Sequence, residues 1–279
     1  MGAALAACVD GQVLWASEGR SQATRIRAEE VGALDRGDLG SLVASADIVI
    51  SVCPPGAAVD VANQVQGLGF DGVYVDANAV SPSTTRRMAQ LFSRFVDAGI
   101  IGPPPSSSPS RDSAPSGDEN ARITRFYLAG YEAPAVAALF SGSPVDARVI
   151  GHEPGRASAL KMAYAAWTKG SAALLLSVAA LATAEEVAEE LAREWDLSIP
   201  ELDARLEQIS SGIAKKAWRF VGEMEEIAHA YGDAGLPTGF HSASAELYTR
   251  LADLKDDRTD RRADDIVDIL LHWDGSPGD

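Results

Sequence analysis

The first hundred residues alternate two hydrophobic patterns. Short apolar runs at 13–16, 47–53 and 73–77 are strand candidates. The runs at 47–53 and 73–77 are nearly uninterrupted, which marks strands buried on both faces, as in a parallel sheet. Between the runs, segments 22–33, 57–65 and 83–93 read as helices, the last opened by Ser81-Pro82 as a cap signal. Met1–Val9 is also apolar and helical in character, and 95–98 and 126–129 are further strands. Repeated βα units of this kind predict a doubly wound open sheet.

The pattern changes after Gly155. No proline occurs from Arg156 to Trp195, and Ala and Leu dominate, which predicts one long helix or a pair. Helical signals continue over 202–231, 242–254 and 261–272. The predicted organisation is an α/β domain over 1–153 followed by an all-helical domain over 154–279. The most apolar stretch, Ala172–Ala184, is about 13 residues, short of the ~20 a membrane span needs, so no membrane partner is expected. Segment 103–120 is mostly Pro, Ser, Gly and charged residues. It reads as a mobile surface loop, with an active-site lid as the alternative.

Composition narrows the ligands. The 279 residues carry 24 Lys+Arg against 40 Asp+Glu, a formal net charge of −16. That balance argues against nucleic acid, which needs a basic face, but leaves room for a small anion at a local arginine. Cys8 and Cys53 sit in apolar surroundings and read as free thiols of a reducing, cytoplasmic compartment. No metal-ligand spacing is present.

Gly67-Leu68-Gly69-Phe70-Asp71-Gly72 matches a dinucleotide-binding spacing but follows a helix and precedes a strand. The mechanism needs the reverse order, so this segment reads as a helix end and turn. The strand at 13–16 runs into Ser17-Glu18-Gly19-Arg20-Ser21. At the second-strand tip of a Rossmann-like sheet, a basic residue accommodates a ribose 2′-phosphate, so Arg20 and Ser21 point to NADP(H). Glu18 is a competing signal. Val52-Cys53-Pro54 and Asn78 end two buried strands, where open α/β sheets bind ligands. Asn78 serves equally as a turn residue beside the Ser81 cap. Lys161 lies near the start of the long helix in almost wholly apolar surroundings. Desolvation there would lower its pKa toward proton transfer near neutrality, whereas a snorkelling lysine is the plainer alternative. Positions 161, 164 and 168 share a helix face.

These segments together resemble the β-hydroxyacid dehydrogenase / 6-phosphogluconate dehydrogenase-like superfamily, in the branch with a phosphogluconate-dehydrogenase-type C-terminal domain of unknown function. The resemblance rests on Arg20-Ser21, Cys53-Pro54-Pro55, Asp76-Ala77-Asn78 through Ser81-Pro82, Asp97-Ala98 through Gly102, and Gly151, Gly155 and Lys161. It implies a Rossmann-like domain, a helical domain and a homodimer. It implies hydride transfer between NADP(H) and a small 3-hydroxy acid or related carbonyl compound, with Lys161 as the catalytic lysine. Gly2, Val52, Cys53, Pro54 and Asn78 would lie along the cofactor, and Gly102 would shape the substrate pocket.

The departures from the family pattern are informative. Ala165 stands where an Asn is usual, and Ile101-Gly102-Pro103 stands where Ser-Gly-Gly is usual. Tyr164, as a further catalytic residue, and Lys169, as a substrate contact, are the candidate replacements. Imine reduction is the alternative chemistry that this loss accommodates. The match begins at Met1-Gly2, with Gly2 at the last glycine of the family's first turn. The first strand of the sheet is therefore expected to be missing, which makes a catalytically impaired dimeric scaffold the alternative to an enzyme.

Overall fold

A computed structural model describes residues 1–105, 123–213, 216–257 and 259–275. Most of the 103–120 loop lies outside them. The chain folds into two compact units, Met1–Lys161 and Met162–Asp279.

The first unit runs α1 (Gly2–Ala6), β1 (Leu14–Trp15), α2 (Gln22–Glu30), β2 (Leu34–Asp35), α3 (Leu39–Val43), β3 (Ile48–Ser51), α4 (Ala58–Gly67), β4 (Val73–Asp76), α5 (Pro82–Ala89), β5 (Phe95–Ile101), β6 (Thr124–Ala129), α6 (Ala133–Ala138) and β7 (Val145–Gly151). β1 and β2 form a two-stranded parallel sheet. The other strands form a five-stranded sheet in the order β3-β4-β5-β6-β7. β6 runs antiparallel to β5, whereas the remaining pairs are parallel. The repeated βα pattern did not announce that reversal.

Both faces of the larger sheet are covered. Val73, Val75, Val96, Ala98, Ile100, Phe126 and Leu128 pack with Leu5, Ala133 and Val136. Val49, Tyr74 and Phe95 point the other way and pack with Val43, Ala58, Ala62, Val65 and Met88. Alternation along β4 explains the split, because neighbouring strand residues face opposite sides. Tyr74 stacks on Phe92 with ring centroids 4.2 Å apart. The glycine-spaced segment at 67–72 behaves as its context requires. Gly67 ends α4, Gly69 takes φ +76°, and a side chain at Gly72 would strike the Asp47 carbonyl.

α7 (Arg156–Ala184) begins in the first unit and opens the second, which continues with α8 (Ala188–Ser198), α9 (Leu202–Ile213), α10 (Ala217–Asp233), α11 (Gly239–Thr249) and α12 (Ala263–Leu271). α7 and α8 are separated at Glu186, a non-glycine residue with φ +59°. By length and composition α7 could cross a membrane, but 56% of its most apolar window is buried inside the fold. The core of this unit includes Leu176, Met224, Ile227, Tyr248 and Leu251, all fully buried.

His241 on α11 is buried against Tyr231, with ring centroids 4.1 Å apart, and its Nδ1 makes no hydrogen bond among the described residues. Burial pushes its pKa below the ordinary value of 6.5. Below that ordinary value the unfolded chain takes up the proton more readily than the folded one, so stability falls as pH drops toward the folded-state pKa. Above about pH 6.5 this contribution to the pH dependence vanishes. The fall in Tm between pH 7.5 and pH 5.5 should be smaller in His241→Gln than in the parent chain.

Candidate functional site

Ser51, Asp76 and Asp97 stand side by side across β3, β4 and β5. Each is buried; Ser51 and Asp76 end β3 and β4, whereas Asp97 is the third residue of the longer β5, which runs on to Ile101. Asn78, just beyond β4, is the bridge of this edge. Its Oδ1 accepts the Cys53 amide at 2.6 Å, and its Nδ2 donates to the Ser51 hydroxyl at 3.0 Å and to the Asp76 carboxylate at 2.5 Å. An amide side chain has two donor hydrogens and two acceptor lone pairs. Three of those four sites are therefore spent: one holds the Val52–Pro54 turn, one reaches the end of β3 and one folds back on Asp76 at the end of β4. Burial pushes the Cys53 thiol above its ordinary value. Asp76 adds to the rise, while the Ser51 hydroxyl and the charge of Arg20 oppose it.

That last influence places Arg20, at the tip of β1, within electrostatic reach of the β3 edge. Arg20 and Ser21 are exposed. Ser21 caps α2, with its Oγ 3.4 Å from the Thr24 amide and 3.1 Å from Thr24 Oγ1. Arg25 holds the preceding loop by donating to the carbonyls of Ser17 at 2.8 Å and Arg20 at 3.4 Å. Thr24 and Arg25 were not singled out from the sequence. Their signal is a helix whose first turns repeat the polar chemistry of its cap. At the tip of β2, hydrogen bonds from the Ser17 side chain and the Gly37 amide hold Asp35 below the usual carboxylate range.

The third element of the edge is the start of α7. Asp97 is fully buried beneath it and accepts hydrogen bonds from the amides of Gly155 and Ala157, both at 2.8 Å. The Ser158 amide donates at 3.1 Å, and the Ser158 hydroxyl at 2.6 Å. That hydroxyl also lies 2.7 Å from Thr85 Oγ1 on α5. Burial pushes the Asp97 carboxyl up, against the downward pull of these donors. Two residues along β5, an added Cβ at Gly99 would lie 2.8 Å from the Ala157 carbonyl and 3.2 Å from Lys161 Cβ. Half-buried Lys161 donates from Nζ to the Ile100 carbonyl at 2.7 Å. Gly102 ends the strand with φ +115°, and a side chain there would lie 2.5 Å from the Ile123 carbonyl.

Val52–Pro54, Asn78 and Gly102 follow the ends of the neighbouring strands β3, β4 and β5, and Lys161 reaches the Ile100 carbonyl near the end of β5. Gly2 approaches from α1, where an added Cβ would lie 3.8 Å from Val52 Cβ. Tyr164 and Lys169 belong to the second unit. Tyr164 is 48% exposed. Lys169 is largely enclosed, paired with Glu223 at 2.7 Å, with its ammonium 5.0 Å from the Phe220 ring centre.

Comparison with known proteins fits this architecture. Residues 180–251 match the model of DUF1932, a domain of unknown function. A conserved protein of unknown function, described as structurally similar to 3-hydroxyacid dehydrogenases, superposes with TM-score 0.61 at 26% identity, covering 91% of this chain and 93% of that one. The chain has a 3-hydroxyacid-dehydrogenase-like fold carrying a DUF1932 region. A conserved hypothetical protein from Sinorhizobium meliloti shares the fold, with TM-score 0.64, 23% identity and coverage of 96% and 92% of the two chains. So does the 3-hydroxyisobutyrate dehydrogenase of Mycobacterium tuberculosis, with TM-score 0.61, 16% identity and coverage of 97% and 95%. An uncharacterized 28.5 kDa protein of Methanothermus fervidus is 34% identical over 180 residues, a match that spans 62% of this chain and 63% of that relative.

Removing the Asn78 amide would strand the partly buried Cys53 amide and take a donor from the buried Ser51 hydroxyl. Asn78→Ala should therefore lower stability by about 1–3 kcal/mol. The expected reading is a lower urea midpoint at unchanged slope.

Proposed function

We propose that the protein is an NADP-dependent oxidoreductase that moves hydride between the nicotinamide and a small 3-hydroxy acid or related carbonyl compound. The observation that carries this reading is Lys161, a half-buried ammonium held by the Ile100 carbonyl near the carboxyl end of β5, the strand next to β4. Open α/β sheets bind ligands at that end.

The donor set at β1 fits a dinucleotide phosphate. Arg20 and the Ser21 cap immediately precede α2, whose N-terminus adds partial positive charge. Arg20 and Ser21 would hold the ribose 2′-phosphate. The Val52–Pro54 turn, fixed by Asn78, would lie along the cofactor, and Gly2 would border it near Val52. NADP(H), when bound, supplies or accepts the hydride. Lys161 gives a proton to the substrate oxygen as the carbonyl carbon is reduced, and its neutral amine takes the proton back in oxidation. Gly102 would border the substrate.

The stretch Ile101-Gly102-Pro103 offers no side-chain hydroxyl for a substrate carboxylate. That favours keeping imine reduction as the second reading, with the same lysine serving a nitrogen centre. A second copy of the chain is the proposed partner. Trp167, Leu174 and Leu181 recur every seven residues along α7 and are 69%, 49% and 64% exposed. Exposed apolar stripes of this kind mark interaction faces.

Two experiments test the proposal. NADPH should bind with a fluorescence change, and Arg20→Ala should weaken it about tenfold or more while sparing NADH, the weight of a charge-assisted phosphate contact. In a screen of 3-hydroxy acids, 3-oxo acids and imines, Lys161→Ala should abolish turnover and keep NADPH binding. Absence of NADPH binding, or full turnover by Lys161→Ala, would overturn the reading. Light scattering should give about twice the 29.3 kDa chain mass, and Leu174→Glu should return it to the monomer value.

A further inference from the structure

We propose that Asp97 and Gly99 form a positioning pair that sets where Lys161 stands on the carboxyl edge, a role that rests on the reading of Lys161 as the proton donor. Asp97 and Gly99 are two residues apart on β5, so they face the same side of the sheet. The start of α7 lies on that side and is held at three successive points. The Asp97 carboxylate takes the amides of Gly155, Ala157 and Ser158 together with the Ser158 hydroxyl. Gly99 admits the Ala157 carbonyl and the Lys161 Cβ to distances that a side chain would forbid. The Ile100 carbonyl then receives the Lys161 ammonium.

The spacings agree. Two strand residues advance about 6.6 Å, and the four helix residues from Ala157 to Lys161 advance about 6 Å. The helix start and the strand therefore keep step over this interval. A carboxylate bound to adjacent amides fixes both the rotation of the helix and its height along the strand. Lys161, one turn further on, inherits both settings. α7 has no acidic residue in its own first turn, so β5 supplies the anion for its buried first amides, which lack partners within the helix. This is a costly arrangement for stability alone, because a buried carboxylate must be fully hydrogen-bonded to be tolerated.

The test reads Lys161 without needing a substrate. Full-length parent, Asp97→Asn, Gly99→Ala and Ser158→Ala proteins are treated briefly with acetic anhydride. Acetylation of Lys161 is measured by mass spectrometry relative to exposed Lys216 of the second unit. Asparagine cannot accept from all of these donors, and alanine at 99 must push α7 away. In Asp97→Asn and Gly99→Ala the relative labelling of Lys161 should rise about tenfold, the upper range for loss of one hydrogen bond. Ser158→Ala keeps the backbone donors, so its rise should be smaller. Circular dichroism establishes which variants fold. If Asp97→Asn does not fold, Gly99→Ala carries the decision. Parent-like labelling in a folded Asp97→Asn or Gly99→Ala overturns the proposal. Acetylation is blind to cofactor and substrate, so failure of the dehydrogenase reading would show separately, in NADPH binding and in the Lys161→Ala turnover.

Discussion

The contact between one buried carboxylate and the first amides of the longest helix governs the geometry of the carboxyl edge. Without Asp97, the start of α7 would leave amide groups unsatisfied inside the protein, an expensive condition. With it, a 29-residue helix is anchored at its first turn to the middle strand of the larger sheet. The anchor is electrostatic and directional, whereas the faces of the sheet are packed by apolar contacts that specify proximity more than orientation. That division suits a site. Burial of Val75, Val96 and Phe126 makes the scaffold stable, and a few polar contacts at its edge decide which way the reactive side chains point.

The same economy recurs at Asn78. A single amide spans β3 and β4, ties the Val52–Pro54 turn in place and quiets two buried polar neighbours. Ser51, Asp76 and Asp97 form one polar row across three strands, and each has a partner that comes from beyond its own strand. Polar groups at that depth are tolerable only when they are satisfied. The row therefore reads as a built floor beneath the proposed reaction centre.

Much of this was legible in the chain. β3 and β4 showed as near-continuous apolar runs because both their faces are covered. Lys161 stood out as a cation with almost wholly apolar neighbours in the long helix. β2 and α3 passed unnoticed, since two and five residues are too few to establish a period. β7 hid because Val145–Gly151 mixes Asp and Arg into a half-exposed strand. The break between α7 and α8 carries no Gly or Pro, only a left-handed Glu186. The reversal of β6 was invisible, because strand direction depends on the connection and not on composition. Asp97 did leave a trace, an acid inside a seven-residue strand that is otherwise apolar or glycine. Its partners lie about 60 positions away, beyond the reach of any local pattern.

The β1–β2 ribbon has a consequence of its own. Two strands of two residues each cannot sustain a sheet by themselves, because isolated two-stranded pairs are marginal in water. Arg25, gripping the carbonyls of Ser17 and Arg20, is part of what keeps the ribbon's tip in shape. Segments with so few backbone bonds open at a small fraction of the global unfolding free energy. The arginine-bearing corner of the first unit thus rests on few backbone bonds, beside a five-stranded sheet with many. Any anion that settles there tightens the corner by mass action and is held less firmly for having to do so.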